Sequence, residues 1–236
     1  MSALTRRTLI QAAAVTPMLV AAAEQPATSA TAEAAPKTGA FGAQHTPVAL
    51  PFDAKSLRGI SEKLIQSHWE NNYVGASKAL NAVRGRLAQA LADSNTPPWV
   101  YTGLKREQSI RTGSVVLHEL YFGNLGGDGK APANVRTMIS QSFGSFDQWE
   151  SEFRKIGAGL GGGSGWAMLG FNEHLKVLEN YWLADHATTP AYTRPVLVMD
   201  MYEHAYQMDY GAAAAKYIDA FMANIQWDAA AKRLNV

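Results

Sequence analysis

Apolar positions recur at helical spacing through the first ordered-looking half of this chain. From residue 57 to about 92, Ile60, Leu64, Ile65 and His68 share one face, and Leu80, Val83, Leu87 and Leu91 share another. That spacing predicts a helix over most of the stretch. Pro97-Pro98 stops it. A second helix is expected from about 105 to 122, ending at Gly126-Gly127. The two read as an antiparallel hairpin. After a junction at 126–132 come helices near 133–142 and 146–156, the latter opened by the capping box Ser145-Phe-Asp-Gln148. A run containing six glycines, 157–165, then leads to three short antiparallel strands at 166–171, 174–178 and 181–184. Pro195-Val-Leu-Val-Met199 is a strand-like apolar run, and closing helices are expected near 199–210 and 212–224. The fold class is α+β: an N-terminal helical hairpin over 47–126, then a C-terminal domain over 127–236 with a three-stranded antiparallel sheet and helices.

The N-terminus carries a different pattern. Thr5-Arg6-Arg7-Thr8-Leu9-Ile10 precedes an alanine-rich apolar segment interrupted by Gln11, Thr16 and Pro17. It falls short of the ~20 residues of a membrane span and reads as a twin-arginine export signal over 1–23. Residues 24–46, rich in Ala, Thr and Pro without apolar periodicity, read as a disordered spacer. The expectation is an exported protein, periplasmic or extracellular, with no stable membrane insertion once the signal is cleaved. Cleavage removes two arginines and no acid, taking the 21 basic and 20 acidic residues to 19 and 20.

Charge and composition narrow the chemistry. A formal net charge of +1 and no basic cluster argue against nucleic acid. The chain has no cysteine, which removes disulfides, thiolate metal sites and cysteine nucleophiles. The glycine-rich run lacks a Gly-Lys-Ser/Thr or Gly-x-Gly-x-x-Gly pattern, so it is no phosphate loop. Six histidines remain. His45 lies in the spacer and His174 in a hairpin turn, and both are poor candidates. Asp200 and His204 are four apart and, on the expected helix, fall on one face as an oxygen and nitrogen donor pair. Such a pair commonly sits on a solvated helix surface. Here Met201, Tyr202, Ala205 and Tyr206 surround it, and a buried carboxylate must be paired or bound to metal. His68 and His118, one on each arm of the hairpin, are further candidates.

The stretch Asp200-Met-Tyr-Glu-His-Ala-Tyr206 resembles the signature Asp-x-Trp-Glu-His-Ala-Tyr of the iron/manganese superoxide dismutases, with Tyr202 in place of Trp. The resemblance runs from about residue 50 to 236. It includes Leu50-Pro-Phe-Asp53, Leu117-His-Glu-Leu-Tyr-Phe122, Phe143-Gly-Ser-Phe146 and Gly163-Ser-Gly-Trp-Ala-Met-Leu169. It implies one Fe or Mn ion per subunit, held by His68, His118, Asp200 and His204, and superoxide as substrate, converted to dioxygen and hydrogen peroxide. It also implies a homodimer, in which Glu203 reaches the partner's ligand histidine. Trp166 and Tyr206 match the family's aromatic lining. His186, fourteen residues before Asp200, falls close to where the family bonds the metal-bound solvent, with Asp185 and Asn71 as alternatives.

One segment departs from the family pattern. Aligned without gaps, the two residues that gate the family's substrate channel, a His and a Tyr, become Asn72 and Ala76. Tyr73 replaces that tyrosine only by deleting three residues, which an unbroken helix from Leu64 to Leu80 forbids. Tyr73 is therefore expected to point away into helix packing. The altered gate keeps open an alternative, an exported metal-binding homologue with a scaffold or binding role and little dismutase activity. A hydrolase using metal-activated water is disfavoured, because the donor set leaves little room for a bulky substrate.

Overall fold

The protein is described by a computed structural model over residues 39–235; the export signal expected at 1–23 and residues 24–38 of the spacer lie outside the described residues. A short α1 (Gly39–Gly42) begins the described chain. Residues 43–50 then lie along the hairpin, fastened by a dense set of bonds. The His45 ring reaches Ser77 Oγ at 2.9 Å and Glu119 Oε1 at 2.6 Å. Its backbone N–H donates to Asn81 Oδ1, and its carbonyl accepts from Asn81 Nδ2. Residues 39–46 thus do not continue the expected disordered spacer. His45, set aside from sequence, ties the arm to both helices of the hairpin.

Ser61 starts the first long helical run by accepting a bond from the Leu64 N–H, a donor the helix itself leaves free. The run comprises α2 (Glu62–Ser67), a π-helical turn (His68–Tyr73) and α3 (Val74–Ala92). The expected unbroken helix is therefore incorrect. At the π turn the Val74 N–H bonds to Trp69 O, one residue wider than an α-helix allows. A local competitor explains it: Asn71 Nδ2 donates to Ser67 O at 3.0 Å, the acceptor that an α-helix reserves for the residue 71 amide. The second arm, α4 (Pro98–Gly123), begins well before the expected residue 105. Pro98 takes a first-turn position, where the missing N–H costs nothing, so the proline pair starts this helix. It does not stop the previous one, which already ends at Ala92, where Asp93 turns extended and its side chain accepts from the Asn95 N–H.

In α5 (Ala133–Phe143) and α6 (Phe146–Leu160), the Ser145 side chain caps α6 by accepting from the Gln148 N–H. The sheet has order β2-β1-β3, all antiparallel, from β1 (Trp166–Asn172), β2 (Val177–Leu183) and β3 (Thr193–Asp200). Two corrections follow. The strands expected at 174–178 and 181–184 are one strand, with His174 in the turn before it, where Asn172 Oδ1 accepts from the His174 and Leu175 N–H groups. The third strand is the apolar run ending at Asp200, so no helix begins at 199. A 3-10 turn (Glu203–Ala205) and α7 (Gln207–Tyr210) follow, then α8 (Ala214–Ala223) and α9 (Trp227–Leu234), the last unassigned from sequence.

Hairpin and sheet share one core. Leu64, Leu117 and Tyr121 join Trp149, Trp166 and Leu197 in a single buried cluster. At the expected junction, Gly127 and Gly129 N–H groups bond to Asn224 O and Ile225 O. Asn124 Nδ2 donates to Val198 O, which fastens the end of α4 to β3. Among the described residues no helix is long and apolar enough to cross a membrane.

Candidate metal centre

The register of the sheet sets the site. Trp166 pairs with Asp200, so the carboxylate emerges at the end of β3 beside the first residue of β1. Asp200 is fully buried. Its Oδ1 accepts from the Tyr202 N–H at 2.9 Å and its backbone carbonyl accepts from Tyr217 Oη at 2.8 Å. These bonds leave Oδ2 facing three imidazoles. It lies 3.2 Å from His68 Nε2, 3.6 Å from His118 Nε2 and 3.2 Å from His204 Nε2. Asp200 and His204 come together across the sharp strand-to-turn bend, not along a helix face as their spacing implied.

The protonation states suit ligation. Burial is the main influence on both hairpin histidines: it lowers the His68 pKa and takes that of His118 down to about 3. Burial alone would raise the pKa of Asp200, but the neighbouring His204, its bond to the carboxylate and the nearby His68 hold it below the usual carboxylate range. His118 Nδ1 donates to Ser114 O at 2.7 Å, which places the proton there and leaves the Nε2 lone pair facing Asp200. His68 Nε2 lies close to Asp200 without making a hydrogen bond to it, and among the described residues neither it nor His118 Nε2 has a partner. Buried ring nitrogens without partners are costly unless an ion takes their lone pairs. Four donors within 4.8 Å of one another, three nitrogens and one oxygen with no thiolate, fit iron or manganese.

Around the donors stands a wall of rings. The Trp166 and His118 centroids are 5.2 Å apart in an edge arrangement. Tyr202, in the position of the family's Trp, stacks on His186 at 4.7 Å and on His204 at 5.3 Å. His186 accepts from Trp166 Nε1 through Nδ1, which leaves the proton of its neutral ring on Nε2. The backbone of its loop rests directly on α4: a Cβ on Gly113 would lie 1.7 Å from the His186 carbonyl oxygen. Glycine there permits the close approach that brings His186 to the site.

A polar cavity of about 380 Å³ opens onto the cluster, lined among others by Asn72, Ala76, Arg111, His118, His186 and His204. Tyr73 does not line it. Its hydroxyl donates to Glu119 Oε1 at 2.7 Å and accepts from the Val48 N–H, on the side of the arm. Tyr206 is also away from the cavity, stacked on Tyr217 with its hydroxyl accepting from the Gly162 N–H. Glu203 is exposed in the single chain. Of the alternatives to His186, Asn71 lines the cavity with its amide engaged by Ser67, and Asp185 turns its carboxylate to the Ala187 N–H. Arg111, Gly113 and Ser114 were not singled out from sequence, although Arg111 and Ser114 precede His118 by seven and four residues, on the same helix face.

Residues 131–233 match the family described as iron/manganese superoxide dismutases, C-terminal domain. The iron superoxide dismutase of Cupriavidus metallidurans is 51% identical over 184 residues, covering 78% of this chain and 93% of that protein. The iron enzyme of Aquifex aeolicus is 34% identical over 186 residues, 76% of this chain and 86% of that protein. A manganese enzyme of Halobacterium salinarum is 29% identical over 190 residues, with 78% and 92% covered. Those similarities, together with a buried three-histidine, one-aspartate cluster at the end of β3, establish that the chain belongs to the iron/manganese superoxide dismutases.

Proposed function

We propose that the protein dismutes superoxide to dioxygen and hydrogen peroxide with one iron or manganese ion per subunit, held by His68, His118, Asp200 and His204. The observation that carries this reading is the convergence of two partnerless buried imidazole nitrogens and His204 on Asp200 Oδ2. The bound ion supplies one-electron oxidation and reduction of successive superoxide anions. The chain's own groups do the rest. Asp200 contributes the single negative charge among the donors, so the centre stays attractive to an anion. Ser114 and the Tyr202 amide fix the orientations of His118 and Asp200. His186 stands beside the donors with an Nε2 proton to offer by hydrogen bond, oriented by its bond from Trp166 and its stacking on Tyr202.

Two further parts of the reading rest on sequence and exposure. The Arg6-Arg7 segment ahead of an apolar run supports twin-arginine export to the periplasm or beyond, a route that carries folded, metal-loaded proteins. The exposed Glu203 beside the partly exposed His204 supports a homodimer in which that carboxylate reaches the partner's ligand histidine. Purified protein should contain iron or manganese and dismute superoxide. Asp200→Ala should lose both metal and activity, while His174→Ala, in the β1–β2 turn, should lose neither. Full metal occupancy in the Asp200 variant would remove the ligand assignment.

A further inference from the structure

One cationic side chain lines the cavity that opens onto the metal cluster. Arg111 lies on α4 seven residues before His118, roughly 10 Å along the helix axis. The other lining groups among the described residues are neutral side chains and the histidines, and no carboxylate is among them. Arg111 is oriented by Glu107, one turn further out, whose Oε1 accepts from Arg111 Nε at 2.6 Å. That bond uses the inner nitrogen of the guanidinium, and its two terminal nitrogens make no protein bond among the described residues. Glu107 does not line the cavity. The pair is therefore a dipole with its positive end toward the site and its negative end toward solvent.

We propose that Arg111 is the anion-capture residue of this enzyme, drawing superoxide and other small monovalent anions into the cavity, with Glu107 aiming and moderating its charge. Small side chains along the opposite wall, Gly75, Ala76 and Ala79, leave the space between guanidinium and metal cluster open to water and ions. In so open a cavity, shape screens anions poorly, and the fixed charge at the rim sets how fast they enter. A cleft with one sign of charge and low-dielectric walls raises the local concentration of its counter-ion and the rate of encounter. The effect is screened by salt within about 10 Å at ordinary ionic strength.

This proposal rests on the dismutase reading, and the test separates the two. Metal-loaded full-length protein, Arg111→Gln, Arg111→Lys and Glu107→Gln are compared by kcat/KM for superoxide across salt concentrations and by azide affinity read from the metal's absorption. Arg154→Gln, on α6 and outside the cavity lining, serves as control. Arg111→Gln should lower kcat/KM at low salt roughly threefold to tenfold, flatten its salt dependence and weaken azide binding to a similar degree. Metal content and Tm should hold, and Arg111→Lys should restore most of the loss. Glu107→Gln should act in the opposite direction, raising kcat/KM and tightening azide. If the ion pair only staples two turns of α4, both neutralising variants lose activity and stability alike, and that outcome overturns the proposal. So does an Arg111→Gln protein with unchanged salt slope and azide affinity. A wild type that binds metal but does not turn over superoxide would instead defeat the dismutase reading, and the azide titrations would still decide the role of Arg111.

Discussion

At position 113 a single missing methyl decides how close a loop comes to a helix. The His186 carbonyl occupies the place where a side chain would begin, so any Cβ there must push either α4 or the loop aside. Gly113→Ala should destabilise the protein by about 1–3 kcal/mol, the usual range for overpacking against backbone. It should also disturb the His186 bond to Trp166 and alter the pH profile of turnover. Gly103→Ala on the same helix, where a Cβ meets nothing within 4 Å, provides the contrast. It should stabilise by roughly 0.5–1 kcal/mol, because alanine is the better helix former. A melting curve for each variant checks the difference in sign.

The π turn is the element on which the first arm of the hairpin depends. Its widened hydrogen bonding buries His68 and Tyr73, each 1% exposed, and they serve different neighbours. His68 joins the metal cluster, while Tyr73 turns to Glu119 and the arm through Val48. Removing the Tyr73 hydroxyl breaks two bonds in a buried place, at a cost of about 1–3 kcal/mol. Tyr73→Phe should therefore lower Tm and expose residues 43–50 to proteolysis, with dismutation kinetics nearly unchanged. A large change in kcat at constant metal content would place the hydroxyl in the reaction after all. The hairpin was legible in sequence because Leu64, Leu80, Val83 and Leu87 repeat at helical spacing. The π turn was not, since it depends on the Asn71 amide competing for one carbonyl. Asp200 and His204 do meet in the structure, but not for the reason their spacing suggested. Their spacing matched a helix face, but the buried Val196 to Met199 run favoured a strand, and a tight turn produced the same meeting. His45 was passed over because composition alone marked its segment as spacer, and its partners Ser77 and Glu119 are distant in sequence.

Across the whole molecule, the site is assembled from both arms of the hairpin, the end of β3 and the turn that follows it. The hairpin and sheet share one core, so metal retention should track global stability. The proposed homodimer would add a second dependence. If Glu203 pairs with the partner's ligand histidine, Glu203→Ala should raise the dimer dissociation constant and release metal together, measured by sedimentation and elemental analysis on the same samples. A variant that stays dimeric and fully loaded would separate the two. The contact between Gly113 and the His186 loop also bears on how this chain can vary. Two segments remote in sequence are locked at a distance that only glycine allows, so neither can drift alone. In an alignment of relatives, glycine at this position should travel with a loop of this length and path. A relative whose equivalent loop takes another path should be free to carry a larger residue there.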